Sequence, residues 1–300
     1  MSRVRELGPR RKLHVDFTSV PDVFRVIEKM GWVPNREKAS DSKSRGGGDF
    51  HTFKDLAEAI QIMRYEPEKI VRFNPNDEKL VREDTIGKEV QFDVTGDFLD
   101  IEKFLEGDPE DFGNAVMGNA KGVFCTINVM TSYVYYTSAE YILEKQKRIT
   151  RLVDWLEQQA VRCQIVATLD CVPLNMSVVV KEFQDPFDVN HLAVVSHPDW
   201  LRRIIFLIKE QSKTWESGYG SAIDYDKRMI KYKPKPEDGM YVYVGGYIPH
   251  GGGWGGGEKN DLKALNAEFD RLENKIENLI GDGLTFNDEP FVIAGGTPGW

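Results

Sequence analysis

From residue 122 onward the chain alternates between strand-like and helix-like runs, and that alternation limits the folds open to it. Residues 123–136 (VFCTINVMTSYVYY) are rich in β-branched and aromatic side chains and read as a buried strand. Residues 138–160 set Ala139, Ile142, Ile149, Leu152, Val153 and Leu156 along one stripe of an amphipathic helix. Strand-like runs return at 162–170 and 177–183. Only a turn around Pro173 separates them, which predicts an antiparallel hairpin at a sheet edge. Next come a short helix or turn (188–196), a helix over 198–211 with Pro198 in its first turn, and a strand over 240–244. A helix over 261–280 and a strand over 291–294 close the series. This order implies an α/β fold with a mostly parallel sheet and helices on both faces. Ligands of such sheets bind outside the strand carboxyl ends, so the segments leaving Tyr136, Val244 and Ala294 share one candidate edge.

The first 120 residues mix both signals and predict an α+β region; residues 121–300 form the second unit. Val20, Val23, Phe24, Ile27 and Met30 recur at helical spacing, with Asp22 near the start. Thr52 is positioned to cap a second helix whose apolar face is Leu56, Ala59, Ile60 and Met63. Residues 90–98 alternate weakly as a strand, and 99–105 read as a short helix closed by Gly107-Asp-Pro109. Residues 35–49 (NREKASDSKSRGGGD) have the composition of a mobile loop.

Composition narrows the class. At 300 residues, 41% hydrophobic and 29% charged, the chain is an ordinary globular one. No apolar run reaches the length of a membrane span, and the basic first twelve residues lead into no apolar signal region. Cys125, Cys163 and Cys171 are widely spread, form no CxxC pair, and read as buried thiols of a reducing, cytoplasmic compartment. A net charge of −9 excludes a general nucleic-acid coat, though not local basic patches. Two exist, at residues 3–12 and 227–235.

Two segments carry the binding signals. Residues 245–257 hold eight glycines in thirteen positions and stand between a strand and a helix, where backbone N–H groups can cradle a phosphate. The tract lacks both the GxxxxGK[ST] and the GxGxxG orders. A loop, a partner surface and an anion site therefore all remain open for it. Trp254 has little local apolar cover and suits a partner anchor. Residues 227–235 (KRMIKYKPK) carry Lys227, Arg228, Lys231, Lys233 and Lys235 around Tyr232, with Tyr247 further on. Basic side chains that track phosphates beside aromatic faces that stack on bases are the mixture of single-strand binders; a solvated loop stiffened by Pro234 and Pro236 is the plainer alternative.

Catalytic signals are weaker. His14, His51, His191, His197 and His250 are scattered, form no HExxH, and His197 before Pro198 reads as a helix-entry residue. No Cys or Ser has a paired base in a motif. Asp93, Asp97, Asp100 and Glu102 lie close in sequence, but turn-forming acids at strand ends are commoner than catalytic clusters. No catalytic residue, metal or cofactor is expected.

The strand 123–136 with its long helix, the hairpin 163–183, Phe187-Asp-Val-Asn-His-Leu-Ala193 and His197-Pro-Asp-Trp-Leu-Arg-Arg203 together resemble the von Willebrand factor A-like domains of bacteriophages and some bacterial operons. Phe50-His-Thr-Phe53, residues 93–101 and Gly107-Asp-Pro-Glu110 resemble the N-terminal half of the same phage group, whose function is largely unassigned. The resemblance implies a three-layer sandwich on which the N-terminal region packs, in a host-cell cytoplasm. Active A-type domains open their metal site with Asp-x-Ser-x-Ser. The matching stretch here, residues 128–138, offers Thr131, Ser132, Thr137 and Ser138 but no Asp. Thr137 or Ser138 would then simply cap the long helix. The expected function is a non-enzymatic binding protein: a single-stranded-DNA-binding factor that recruits a phage RNA polymerase. Alternatives are an adaptor that partners a ring ATPase, and a metal- or nucleotide-dependent enzyme.

Overall fold

The computed structural model describes residues 3–7, 12–33, 35, 40–41, 53–70, 90–93, 98–99, 112–115, 123–131, 133, 137–159, 161–171, 174–211, 240–245, 258–281 and 291–293. The strands are β1 (Arg3–Leu7), β2 (Lys12–Phe17), β3 (Val90–Asp93), β4 (Phe98–Leu99), β5 (Phe112–Ala115), β6 (Val123–Met130), β7 (Val161–Cys171), β8 (Leu174–Lys181), β9 (Met240–Val244) and β10 (Phe291–Ile293). The helices are α1 (Val20–Met30), α2 (Leu56–Tyr65), α3 (Ala139–Gln158), α4 (Val189–Ser196), α5 (Phe206–Gln211) and α6 (Glu258–Gly281). A 3₁₀ turn spans Pro67–Lys69 and a π-helical stretch Trp200–Ile205.

The main sheet has seven strands in the order β1-β2-β8-β7-β6-β9-β10. β7, β6, β9 and β10 run parallel. β8 is antiparallel to β7, as the hairpin reading requires. That hairpin does not form the sheet edge. β2 pairs in parallel with the far side of β8, and β1 adds an antiparallel edge strand. Leu13, Val15 and Phe17 alternate with polar residues along β2, and Phe17 is buried. The expected boundary at residue 120 thus separates the sequence, while β1 and β2 from before it lie in the same sheet as β6 to β10. A second sheet, β3-β5-β4, is antiparallel throughout. The single strand expected over 90–98 is two short strands that flank β5. Leu99 belongs to the second of them rather than to a helix, and residues 100–111 lie outside the described residues.

Parallel strands need cover on both faces, and β9 has it: all five of its residues are buried. On one face Ile127, Val129, Val242 and Val244 join a large core with Cys163, Ile165 and Ala167 from β7. Val23, Phe24 and Ile27 of α1, Ile149, Leu152 and Leu156 of α3, and Phe269 and Ile276 of α6 belong to the same core. Met130, Tyr241 and Tyr243 form a separate small cluster on the other face. Helices α3 and α6 lie together. The Arg148 guanidinium stacks on Phe269 and pairs with Asp270 and Glu273 across that contact.

Helix starts follow local side-chain chemistry. Ser19 caps α1 by accepting the Asp22 N–H, and Gly31 ends it at φ +60°, a left-handed conformation suited to glycine. The cap of α2 is Asp55, which accepts the Glu58 N–H at 2.9 Å; Thr52, expected in that role, lies outside the described residues. Ser138 caps α3 by accepting the Tyr141 N–H at 3.1 Å, whereas the buried Thr137 hydroxyl has no hydrogen-bond partner among the described residues. Ser138→Ala is therefore expected to cost about 1 kcal/mol and Thr137→Val less than about 0.5 kcal/mol, because only the first removes a bond. Urea unfolding of the two variants measures the difference.

Candidate functional site at the carboxyl edge of the sheet

The site forms where β6 and β9 end side by side. β6 sends its chain through α3 to β7 on one side, and β9 lies on its other side, so this junction is the switch point of the parallel strands. The groups here come from four elements. Lys145 projects from α3, between Ile142 and Ile149 on the helix face that meets the core, and is fully buried. Its ammonium donates to the Met130 carbonyl at 2.8 Å and to the Gly245 carbonyl at 2.6 Å. Met130 is the last residue of β6, and Gly245 directly follows β9. The same ammonium lies 5.2 Å from the centre of the Tyr133 ring. Two carbonyl dipoles and an aromatic face are all groups that stabilise a desolvated cation.

Hydroxyls occur on the same strands and on the segment after β6. Burial holds the Tyr133 phenol well above its ordinary value, with Ser196 at the end of α4 opposing the shift. The Tyr133 and Ser196 hydroxyls face one another without closing a hydrogen bond. On the neighbouring strand Thr168 donates to the Asn128 side-chain oxygen at 2.8 Å, and the Thr131 hydroxyl donates to the Thr168 carbonyl at 3.3 Å. An A-type metal site would need a carboxylate from residues 128–138. The chain supplies an amide, hydroxyls and a lysine ammonium at this junction instead, a donor set that does not fit a divalent cation. Among the described residues no group of three His, Cys, Asp or Glu side chains could hold a metal ion.

A second buried polar cluster ties the N-terminal segments to the helix after α4. The Asp199 carboxylate accepts the Phe53 N–H at 2.8 Å and the Arg203 Nε–H at 3.3 Å. The Arg203 fork donates to the Ser40 carbonyl at 3.2 Å and to the Phe53 carbonyl at 2.6 Å. The His197 ring stacks on Phe53 at 4.8 Å, and its Nδ1 accepts the Asp199 N–H at 3.0 Å, which leaves Nε2 as the protonated nitrogen of the neutral ring. His197 is thus a buried helix-entry residue, as its position before Pro198 suggests. The helix expected over 198–211 contains the π-helical stretch, and Arg203 sits within it. Burial raises the Asp199 carboxyl above its ordinary value, against the pull of the Phe53 N–H and Arg203.

The residues chosen from sequence as binding groups, Lys227, Arg228, Lys231, Tyr232, Lys233, Lys235, Tyr247 and Trp254, all lie outside the described residues. Their anchors are described. β9 ends at Val244, Lys145 holds the Gly245 carbonyl, and α6 begins at Glu258. A strand thus precedes the glycine tract and a helix follows it, in agreement with the runs read on either side, and the tract's first residue lies at the carboxyl end of β9. Asp93 lies in β3, and Asp97, Asp100 and Glu102 are outside the described residues. Sequence reading did not single out Lys145. Its signal was a lysine on the apolar stripe of α3, three residues from Ile142 and four from Ile149.

A family model described as a domain of unknown function (DUF7192) matches residues 5–251. The chain belongs to this family. The match runs from β1 through β9 and into the glycine tract, so both halves of the main sheet and the Lys145 site fall within the family domain, while α6 and β10 follow it. No curated protein and no solved structure matches the chain. No described helix is long and apolar enough to cross a membrane.

Two measurements test this account. Arg203→Met removes the cation hydrogen-bonded to the buried Asp199, leaving it only the charge of Arg202, and is expected to cost about 3 kcal/mol; adding Asp199→Asn should recover part of that loss. Equilibrium unfolding of both single variants and the double variant gives the coupling. On α6, half-burial raises the Glu268 carboxyl to about 7, with Arg271 opposing. A carboxyl raised in the folded state favours folding while protonated, so its contribution is full below 4.5 and fades as pH climbs through about 7. Wild type should lose stability relative to Glu268→Gln between about pH 5 and 8. Thermal melts across that range, compared between the two proteins, read the difference.

Proposed function

We propose that this member of the family is a non-enzymatic binding protein with a degenerate von Willebrand factor A-like domain, and that it engages single-stranded nucleic acid. The fold reading is supported by four parallel strands beside one antiparallel hairpin strand, with a Ser138-capped helix following β6. The observation that carries the functional reading is the Lys145 ammonium bound to the last carbonyls of β6 and β9. It fills the junction where a ligand or metal of such a sheet would otherwise sit. Recognition then falls to the chain segments that precede and follow β9. One is the basic, tyrosine-bearing segment 227–235 that precedes β9; the other is the glycine tract with Tyr247 and Trp254 that follows it.

Lys227, Arg228, Lys231, Lys233 and Lys235 would neutralise backbone phosphates, and Tyr232, Tyr247 and Trp254 would stack on bases. The likeness to phage-encoded proteins favours a factor that holds a single strand while recruiting a phage RNA polymerase in the host cytoplasm. Capture of a protein partner through Trp254, as in an adaptor for a ring ATPase, is the second reading, favoured by an indole framed by glycines.

Gel shift with labelled single strands separates them. Binding at low salt should weaken with a log–log salt slope of about −3.5 if five cations each contact a phosphate. Lys231→Glu with Lys233→Glu should flatten that slope, and Tyr232→Ala should weaken binding by about 1–3 kcal/mol. Absence of any shift at low salt overturns the nucleic-acid reading.

A further inference from the structure

The centre of the carboxyl edge has the make-up of a cation site: two main-chain carbonyls from adjacent strands, at 2.8 and 2.6 Å from one nitrogen, under the face of an aromatic ring. What occupies it is part of the chain. We propose that the Met130 and Gly245 carbonyls with the Tyr133 ring form a site for an ammonium-class monovalent cation, and that Lys145 is its permanent, tethered occupant.

Three observations converge on this assignment. First, Lys145 is wholly buried, and a charge at that depth persists only where local groups replace its hydration. Second, the two carbonyls lie one residue beyond Val129 and Val244, the last pair between β6 and β9 among the described residues, where the two strand ends come side by side. Third, the ammonium reaches them from α3, which leaves the same strand β6 through the Ser138 cap. The cation therefore joins β6, its following helix and β9 at one point. It fixes Gly245, the first residue of the glycine tract, relative to the helix. An edge built this way needs no added metal to hold its shape. The inference is independent of what the protein binds, because its readout is stability and cation response.

Truncation to alanine tests it, since Lys145→Ala removes an aliphatic chain and ammonium equivalent to n-propylammonium. Lys145→Ala should lower Tm by about 5–10 °C. Tens of millimolar n-propylammonium chloride should restore part of that loss, while leaving wild type unchanged. Equal concentrations of n-propanol, which fills the same space without charge, and of tetramethylammonium chloride, which cannot donate to the carbonyls, should restore none. Lys145→Met keeps the volume without the charge and should melt well below wild type; Lys145→Gln, with two amide donors, should fall between. If Lys145→Met matches wild type, the site needs no cation and the inference fails. It fails equally if propanol rescues Lys145→Ala as well as propylammonium does. Should Lys145→Ala not fold at all, the order of wild type, Gln and Met still decides the question.

Discussion

A buried ammonium imposes a strict condition on its surroundings, and the carboxyl edge of this sheet is arranged around that condition. Taking a lysine out of water costs several kcal/mol unless dipoles replace the lost hydration. At Lys145 the replacements come from the ends of two strands and from the loop after the first of them. Because these groups belong to separate elements, satisfying one nitrogen fixes their relative positions. The hydrophobic core sets the sheet against α3 in a non-directional way. The ammonium adds direction: it selects the rotation of α3 that points Lys145 at the strand ends and keeps Ile142 and Ile149 on the core.

Arg203 does comparable work at a distance in sequence. Its fork reaches the carbonyls of Ser40 and Phe53, and its Nε meets Asp199, which in turn holds the Phe53 N–H. The two ends of the polar segment between residues 41 and 53 are thereby bound to one helix. Asp41 accepts the Leu56 N–H beside the Asp55 cap, and Glu210 accepts from Ser40, so the anchoring extends into α2 and α5. Burying this many polar groups is tolerable only because each finds a partner; removing one member leaves the others desolvated and unmatched. This explains how N-terminal elements separated by a long polar stretch remain tied to the C-terminal sheet.

Much of the C-terminal architecture is legible in the sequence because it rests on local periodicity. The stripe of Ile142, Ile149, Leu152 and Leu156 defines α3, and the β-branched run after Gly122 defines β6. What sequence reading missed depends on tertiary partners or on short-range signals overlaid by others. β2 alternates Leu13, Val15 and Phe17, but these residues directly follow the basic patch at 3–12, and β8 must be present to pair with them. The hairpin was expected at the sheet edge because nothing local to residues 162–183 reveals that third neighbour. Asp55 and Thr52 are both good caps, and the choice turns on where the buried face of Leu56, Ala59 and Met63 must point. Lys145 was hidden for the opposite reason: a lysine within an apolar stripe reads as a long side chain reaching for solvent, and only the strand ends above it give it an internal destination.

These two polar centres bear on how a protein of this family can recognise anything. A glycine tract left to itself loses much conformational freedom when it binds, and that loss weakens the complex. Fixing its first carbonyl on Lys145 and beginning α6 at Glu258 shortens the span over which that freedom exists. Tyr247 then lies two residues from a fixed point, and Trp254 lies within the span itself. The basic segment 227–235 precedes β9, all of whose residues are buried. Charge attraction sets the rate at which an extended anionic strand arrives, and stacking on aromatic side chains near fixed points lowers the entropy lost on capture. On the proposed reading, binding of this kind would accept one strand sequence after another, because phosphates and base faces are common to all of them. Specificity for a start site or for a polymerase would then have to come from the partner rather than from this chain.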